Sequence, residues 1–344
     1  MKKIATLSTL IFIMVGLVFA AEMELTGAGA SFPYPLYSKM FLQYNSVTGT
    51  KVNYQAIGSG GGVRQIKAKT VDFGASDAYL SDKKLSDFTS EMVHIPTTAG
   101  AVVVAYNIPG NPKLNLTGEI ISEIFLGKIT RWNDQKIVKH NKNIKIPDMA
   151  IIVAHRSDGS GTTFIFSDYL SKVSPEWKEK VGTGKALKWP AGIGGKGNAG
   201  VSGLIKQIRG AIGYIELAYS IQNKIPYASI QNSSGNFVEP SLESVSKAAD
   251  TRLPDDMRVK LTNTPAKHGY PISGFTWLLS YKDLSKIKNP SMAKAKELVK
   301  LFSWMITDGQ KACAPLHYAP LSPTAVKKTS DIIKQLNYGG KAIK

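Results

Sequence analysis

Apolar and polar residues alternate along this chain with two different periods. Short runs rich in apolar residues predict β-strands, and runs with apolar residues at i, i+3, i+4 and i+7 predict one-sided helices. Strands are predicted at 51–57, 71–75, 101–106 and 151–154. Helices are predicted after Ser31 and after Ser160, with the apolar faces Tyr37, Met40, Phe41 and Tyr44, and Phe166, Tyr169, Leu170 and Val173. Strands that alternate with such helices predict an α/β protein.

The first residues have the pattern of an export signal. Lys2 and Lys3 precede an apolar run at 4–18, and small residues follow at Ala20 and Ala21. This layout predicts a cleaved signal peptide at residues 1–20. A membrane anchor is the alternative, but the run is shorter than the ~20 apolar residues that span a bilayer. No cysteine directly follows the run, so we expect an exported chain without a lipid anchor.

Composition limits the classes of protein that fit. Roughly 320 residues follow the predicted signal, which is more than one hydrophobic core usually serves, so two domains are expected. Cys313 is the only cysteine, so no intramolecular disulfide can form. The net charge is +18, but the lysines are spread along the chain without a basic block. This distribution favours a solvated basic surface over a nucleic-acid site, and it could speed the encounter with a small anion.

Three small-residue loops lie between a predicted strand and a predicted helix: GAGASF at 27–32, GSGGG at 58–62 and DGSGT at 158–162. A helix N-terminus offers unpaired N–H donors, and Ser or Thr adds a hydroxyl. Several such ends facing one cleft would bind an anion. The alternative is that each loop only caps its helix. A further glycine-rich segment, 192–203, is predicted to be an ordered loop.

Two ionisable residues lie next to these loops. Arg156 precedes the third loop and would provide a bidentate donor, while Asp77 follows the strand at 71–75 and would provide an acceptor. A carboxylate suits an anion site only if the anion itself carries a proton. The alternatives are a surface ion pair between Arg156 and Asp158, and an Asp77 that only caps a turn.

Several longer strings resemble the periplasmic phosphate-binding proteins of bacterial ABC phosphate importers. They follow in family order through nearly all of the chain after the signal: LTGAGASFPYPLY, KVNYQAIGSGGGVRQI, VDFGASDA, FLGKITRWND, RSDGSGTTFIF, KWPAGIGGKGN, GAIGYIELAY and YAPLSP. The resemblance implies phosphate contacts from Ser31, Phe32, Ser59, Asp77, Arg156, Ser160, Gly161 and Thr162. Asp158 resembles the aspartate that pairs with the arginine of the site. Ser31 departs from the threonine of many members but keeps the hydroxyl.

The resemblance also implies a fold and partners. The fold is a two-lobed periplasmic binding protein of type II, with lobes joined by two crossing strands near Tyr106 and Pro271. The first lobe would comprise 21–106 and 272–344, and the second 107–271. The implied partners are inorganic phosphate and the transmembrane permease subunits of the importer. We expect a periplasmic monomer that has no cofactor or metal, binds no nucleic acid and is not an enzyme.

Two other functions are alternatives to phosphate binding. A secreted phosphatase would need catalytic groups, and Ser160, His155 and Asp158 form a candidate cluster. Strand alternation, however, turns His155 away from the face used by Arg156, and no hydrolase or metal-ligand motif occurs. A receptor for sulfate or another oxyanion would share the donors, but an anion without a proton would be repelled by Asp77.

Overall fold

The computed structural model describes residues 23–343. The predicted signal peptide lies outside these residues. Strands β1 to β14 span Glu24–Gly29, Lys51–Ala56, Phe73–Ser76, Met92–Tyr106, Asn115–Leu116, Ile152–Arg156, Ile193–Gly195, Ala211–Glu216, Ser229–Gln231, Phe237–Val238, Leu261–Thr262, Ile272–Tyr281, Asn337–Tyr338 and Lys341–Ala342.

Helices α1 to α12 span Tyr34–Thr48, Ser59–Lys67, Asp82–Leu85, Gly118–Phe125, Gln135–Lys139, Gly161–Val173, Pro175–Lys180, Gly197–Gln207, Leu217–Asn223, Leu242–Ala249, Met292–Met305 and Pro323–Lys334. Short 3-10 helices lie at Leu284–Lys286, Asp308–Ala312 and Ala314–Leu316. No helix among residues 23–343 is long and apolar enough to cross a membrane.

One main sheet runs through both lobes of this α/β fold, in the order β2-β1-β3-β12-β4-β8-β6-β7. The part built on β1 to β3 is called the first lobe here, and the part built on β6 to β8 the second lobe. Strand β4 belongs to both parts, because it pairs with β12 up to Ala101 and with β8 from Val102 onward. The change of partner lies upstream of the predicted crossing at Tyr106, and the exact lobe boundaries stay a prediction.

The four strands predicted from the sequence are all present, as β2, β3, the end of β4 and β6. Both predicted helices are present as α1 and α6, and their predicted apolar faces lie against the sheet. On α6, for example, Phe166 stacks on Tyr214 of β8 with ring centroids 4.3 Å apart. Each such fully buried ring contributes about 1.5–3 kcal/mol through burial, so these faces hold the helices in place.

The prediction of a loop at 192–203 was wrong. Ile193–Gly195 pairs with β6 as β7, and α8 begins at Gly197. A Cβ at Gly195 would lie 2.7 Å from the backbone of Gly200, so glycine allows the close approach of this strand to this helix. The glycines thus serve packing where the sequence suggested irregular structure, and they create a fourth junction between a strand and a helix.

Candidate functional site

Four junctions between a strand and the following helix meet where the two lobes face each other. The β1–α1 and β2–α2 junctions come from the first lobe, and the β6–α6 and β7–α8 junctions from the second. Helices α2, α6 and α8 direct their N-termini toward one another, as the hydrogen bonds between the junctions show. Because helix N-termini carry unpaired N–H donors and partial positive charge, this arrangement favours an anion.

Ser59 joins the lobes at the centre of the site. Its Oγ accepts hydrogen bonds from the backbone N–H of Gly161 at 3.1 Å and of Asp77 at 3.2 Å. Gly60 N–H, next to it, donates to the carbonyl of Gly159 in the second lobe at 2.8 Å. The GSGGG and DGSGT loops therefore pack directly against each other, as their predicted common role requires.

Glycine is required at this contact for space. A Cβ on Gly161 would lie 2.5 Å from both Ser59 Oγ and Asp77 Oδ2. Gly58 has φ +82°, a conformation that favours glycine, and a Cβ there would collide with the carboxylate of Asp158. Both positions let the backbones of the two lobes approach each other.

Arg156 is the cation of the site. It ends β6, and its side chain is 1% exposed. Its Nε donates to Asp158 Oδ1 at 2.7 Å and its Nη2 to Oδ2 at 2.6 Å, in a bidentate pair. The remaining nitrogen, Nη1, lies 3.3 Å from Thr162 Oγ1. The pair is thus buried, in contrast to the surface ion pair considered above, and Nη1 faces the N-terminus of α6.

The pKa of Asp158 is lowered. Burial opposes its ionisation, but the hydrogen bonds and charge of Arg156 and the N–H of Gly197 outweigh burial. Gly197 N donates to Asp158 Oδ1 at 3.0 Å. Asp158 therefore stays ionised, compensates the charge of Arg156 and ties β6 to the start of α8.

Asp77 follows β3 and is the buried acceptor of the site, at 2% exposure. Thr276 Oγ1 of β12 donates to its Oδ1 at 2.8 Å, and Ser59 Oγ lies 3.4 Å from its Oδ2. Burial raises the pKa of Asp77 to about 7, with Thr276, Arg156 and Ser59 opposing the rise. Within the described chain Asp77 makes no ion pair, so it differs from a turn cap on the surface.

Ser31 and Phe32 form the β1–α1 corner of the site, and both are buried. Tyr219 of α9 donates to the carbonyl oxygen of Ser31 at 2.6 Å, and Tyr318 donates to that of Phe32 at 2.7 Å. The N–H groups of Phe32, Ser59 and Thr162 have no hydrogen-bond partner within 23–343. These three donors could therefore bind an anion.

Ser160 and Thr162 complete the predicted set. Ser160 caps α6, since its Oγ accepts from Thr163 N at 2.9 Å, which leaves its hydroxyl hydrogen free to donate. Both residues are fully buried. All eight predicted contact residues, with Asp158, therefore lie at one interlobe site, although their contact with a ligand stays a prediction.

Asn198 is a polar residue of the site that the sequence reasoning missed. Its Nδ2 donates to Ser31 Oγ and to Thr162 Oγ1, both at 3.1 Å, and its backbone N–H also donates to Ser31 Oγ at 3.1 Å. Each hydroxyl has one hydrogen, and the oxygens of Ser31 and Thr162 both accept a hydrogen bond from Asn198. The two hydroxyls must then donate outward, which suits an anion. The signal that could have found it was the fourth glycine-rich segment, which we predicted to be a loop.

The candidate hydrolase cluster does not assemble. His155 stacks on Trp189 at 4.8 Å between ring centroids, and it makes no hydrogen bond to Ser160 or Asp158 within residues 23–343. Within residues 23–343, no group of three or more His, Cys, Asp or Glu side chains could hold a metal ion.

Comparison with known proteins identifies the family of this chain. A family model described as a PBP superfamily domain matches residues 20–308, so the chain has the fold of this superfamily. The chain is 46% identical over 314 residues to a phosphate-binding protein PstS from Xylella fastidiosa strain 9a5c, covering 89% of this chain and 84% of the relative. It is 45% identical over 333 residues to the PstS of Pasteurella multocida strain Pm70, covering 95% and 94% of the two chains. The chain belongs to the family of PstS phosphate-binding proteins.

A solved structure shares the fold. It is that of a high-affinity periplasmic phosphate-binding protein, PfluDING, bound with phosphate. The TM-score is 0.72 at 20% identity, with 92% of this chain and 96% of that chain covered. The two-lobed architecture expected from the sequence is therefore confirmed. These relatives are phosphate-binding proteins.

Proposed function

We propose that this protein binds inorganic phosphate between its lobes and delivers it to the permease of an ABC-type importer. The observation that carries the proposal is the combination of many donors with one acceptor. The N–H groups, the hydroxyls and Arg156 all donate, while Asp77 is buried without a cation of its own. Phosphate near neutral pH is an anion that still has a hydrogen to donate, and Asp77 can accept it.

We further propose that Ser31, Phe32, Ser59, Asp77, Arg156, Ser160, Gly161 and Thr162 contact the phosphate, with Asp158 supporting Arg156. The lobes comprise 21–106 with 272–344, and 107–271, and they close on the ligand. The mature protein works as a monomer in the periplasm after removal of its signal peptide. We expect no catalytic activity, because His155 of the candidate hydrolase cluster stacks on Trp189 and makes no hydrogen bond to Ser160 or Asp158 within residues 23–343.

Calorimetric titration of the mature protein with phosphate tests this proposal. Phosphate has five non-hydrogen atoms, and a ceiling of ~1.5 kcal/mol for each gives about 7.5 kcal/mol, or a Kd near micromolar. We expect a Kd in this range and no displacement by a large excess of sulfate. A Kd weaker than about millimolar, or equal binding of sulfate, would reject the assignment in favour of another oxyanion.

Uptake in cells tests the importer role separately. Deletion of the gene should impair phosphate uptake at low external phosphate in a strain without a second receptor. Normal phosphate uptake in that strain would reject the importer role, although the protein could still bind phosphate. Small-angle scattering with and without phosphate tests whether binding draws the lobes together.

A further inference from the structure

Another buried carboxyl group lies behind the β1–α1 corner and has no part in the proposed contacts. Glu216 ends β8, is fully buried, and caps α9 by accepting from Ala218 N at 2.9 Å. The same oxygen, Oε2, lies 2.8 Å from the hydroxyl of Tyr318. Its other oxygen, Oε1, is buried without a partner among the described residues. An ionised carboxylate in this position would be costly, because it would be desolvated and only half hydrogen-bonded.

The two contacts of the Tyr318 hydroxyl limit the protonation states that Glu216 can have. The Tyr318 hydroxyl oxygen lies 2.7 Å from the carbonyl oxygen of Phe32 and 2.8 Å from Glu216 Oε2. Tyrosine has one hydroxyl hydrogen, and the carbonyl has none. If Tyr318 donates to Phe32, the hydrogen of the second contact must come from Glu216. The two contacts then form a chain in which Glu216 donates to Tyr318 and Tyr318 donates to Phe32.

The chain of donors reaches the part of the site that faces the ligand. Tyr219, one turn after Glu216, donates to the Ser31 carbonyl. That carbonyl belongs to the same peptide group as the N–H of Phe32, and a hydrogen bond to the carbonyl strengthens donation by the N–H. The β8–α9 junction of the second lobe thus contacts the Ser31 carbonyl directly, through Tyr219. It contacts the Phe32 carbonyl indirectly, through the pair of Glu216 and Tyr318.

We propose that Glu216 is a neutral carboxylic acid that positions the Ser31–Phe32 corner as a phosphate donor, through Tyr318 and together with Tyr219. This inference rests on the proposed phosphate function. Neutrality also follows from the charge of the ligand, since the site already contains Asp77, and a further carboxylate would repel the anion. Burial raises the pKa of Glu216 well above its ordinary value, with the charge of Asp77 adding to the rise, in agreement with this state.

Infrared difference spectroscopy tests the protonation state directly. At about pH 8.5, most of Asp77 is ionised, since its pKa is about 7. We expect a carbonyl band of a protonated carboxylic acid in the wild type and in Asp77→Asn, and its loss in Glu216→Gln. Loss of a carboxylate band instead in Glu216→Gln would overturn the proposal, whether or not the protein binds phosphate. Failure of the phosphate function itself would appear separately, as a wild type that binds no phosphate.

Binding measurements test the positioning role. Glu216→Ala and Tyr318→Phe each break the chain of donors, and each should weaken phosphate binding by about 10-fold to 100-fold. Glu216→Gln should recover most of this loss, because its amide can donate to Tyr318, although it gives up the bond from Ala218. If Glu216 were ionised, Glu216→Gln would remove a repelling charge and bind phosphate more tightly than wild type. That gain would reject the proposal.

Tyr44→Phe is the matched control. Tyr44 donates to Glu297 at 2.7 Å on the contact between α1 and α11, a partly buried tyrosine–glutamate pair that shares no hydrogen bond with the site. We expect it to lower stability without changing the phosphate Kd. Equal loss of phosphate affinity in Tyr44→Phe and Tyr318→Phe would reduce Tyr318 and Glu216 to a general structural role and overturn the proposal.

Discussion

The two lobes contribute one aspartate each to the same site, and the pKa values of the two carboxyls shift in opposite directions. Asp158 of the second lobe is held by Arg156 and a helix N–H, so its pKa falls although burial opposes this. Asp77 of the first lobe is buried with hydroxyl partners and no paired cation, so its pKa rises to about 7. The difference shows that the hydrogen-bonding partners of each aspartate determine its role. Asp158 neutralises a cation, whereas we propose that Asp77 distinguishes anions by their protons.

Removal of the cation gives the largest expected effect. Arg156→Ala takes away a buried charged donor and leaves Asp158 buried without its partner, which is costly by about 3–5 kcal/mol. We expect phosphate affinity to fall by about 10³-fold or more, and affinity for other oxyanions to fall with it. Calorimetric titration measures both.

Arg131→Ala is the control, because Arg131 pairs with Asp148 on the surface, with both side chains more than half exposed. It should leave binding unchanged. A comparable loss in both variants would mean that net charge, and not the buried pair, binds the anion.

The opposite pKa shifts predict opposite dependences of stability on pH. Protonated Asp77 contributes to the stability of the folded protein below the ordinary Asp pKa of ~3.9. This contribution is lost as pH rises to about 7, because in this window Asp77 ionises only in the unfolded state. Asp77→Asn should therefore be more stable than wild type above about pH 7, by up to about 4 kcal/mol, with the gain shrinking toward pH 4.

Asp158 contributes the other way. The stability that ionised Asp158 gives the folded protein is fully present above the ordinary Asp pKa. It is lost as pH falls through the lower pKa of Asp158 in the folded state. Denaturant unfolding of Asp77→Asn, Asp158→Asn and wild type across this pH range measures both slopes. Parallel slopes for the two variants would show that the environments of the two carboxyls do not differ as described.

Selectivity depends on the acceptor. Asp77→Asn replaces an acceptor by an amide that can also donate, so sulfate should no longer be repelled, while the donors for phosphate remain. We expect the preference for phosphate over sulfate to fall by about 10²-fold or more. Competition titration measures the ratio. Asp72→Asn is the control, since Asp72 is also buried but pairs with Lys294. An unchanged preference in Asp77→Asn would make Asp77 a turn residue only.

The smallest effect is expected from the residue that orients the hydroxyls. Asn198→Ala frees Ser31 and Thr162 to turn their hydrogens toward other acceptors. Phosphate affinity should fall by about 10-fold. Asn141→Ala, a buried asparagine of the second lobe that bonds to Asn115, should lower stability without this loss. Wild-type affinity in Asn198→Ala would show that the hydroxyls need no support.

The fold and most of the site could be predicted because local patterns determine them. The apolar faces of α1 and α6 and the small-residue loops before α2 and α6 are visible in short stretches of sequence, and the family resemblance ordered them. The glycine-rich segment at 192–203 marks the neighbourhood of Asn198, but the roles of Asn198 and Glu216 could not be found in this way. Their roles depend on contacts with Ser31 and Tyr318, which are 167 and 102 residues away along the chain. The pKa of Asp77 likewise depends on burial by strands that only the assembled sheet brings together.

The continuity of β4 has a consequence for how the chain folds. The second-lobe strands β6, β7 and β8 lie within 152–216, so they can pair from one contiguous stretch. The first-lobe sheet is completed only by β12, whose Ser273 pairs with Ala101 of β4. Such distant pairing is slow, because a long loop must close first. We therefore expect the second lobe to fold early and the first lobe to stay open until the C-terminal part of the chain is available.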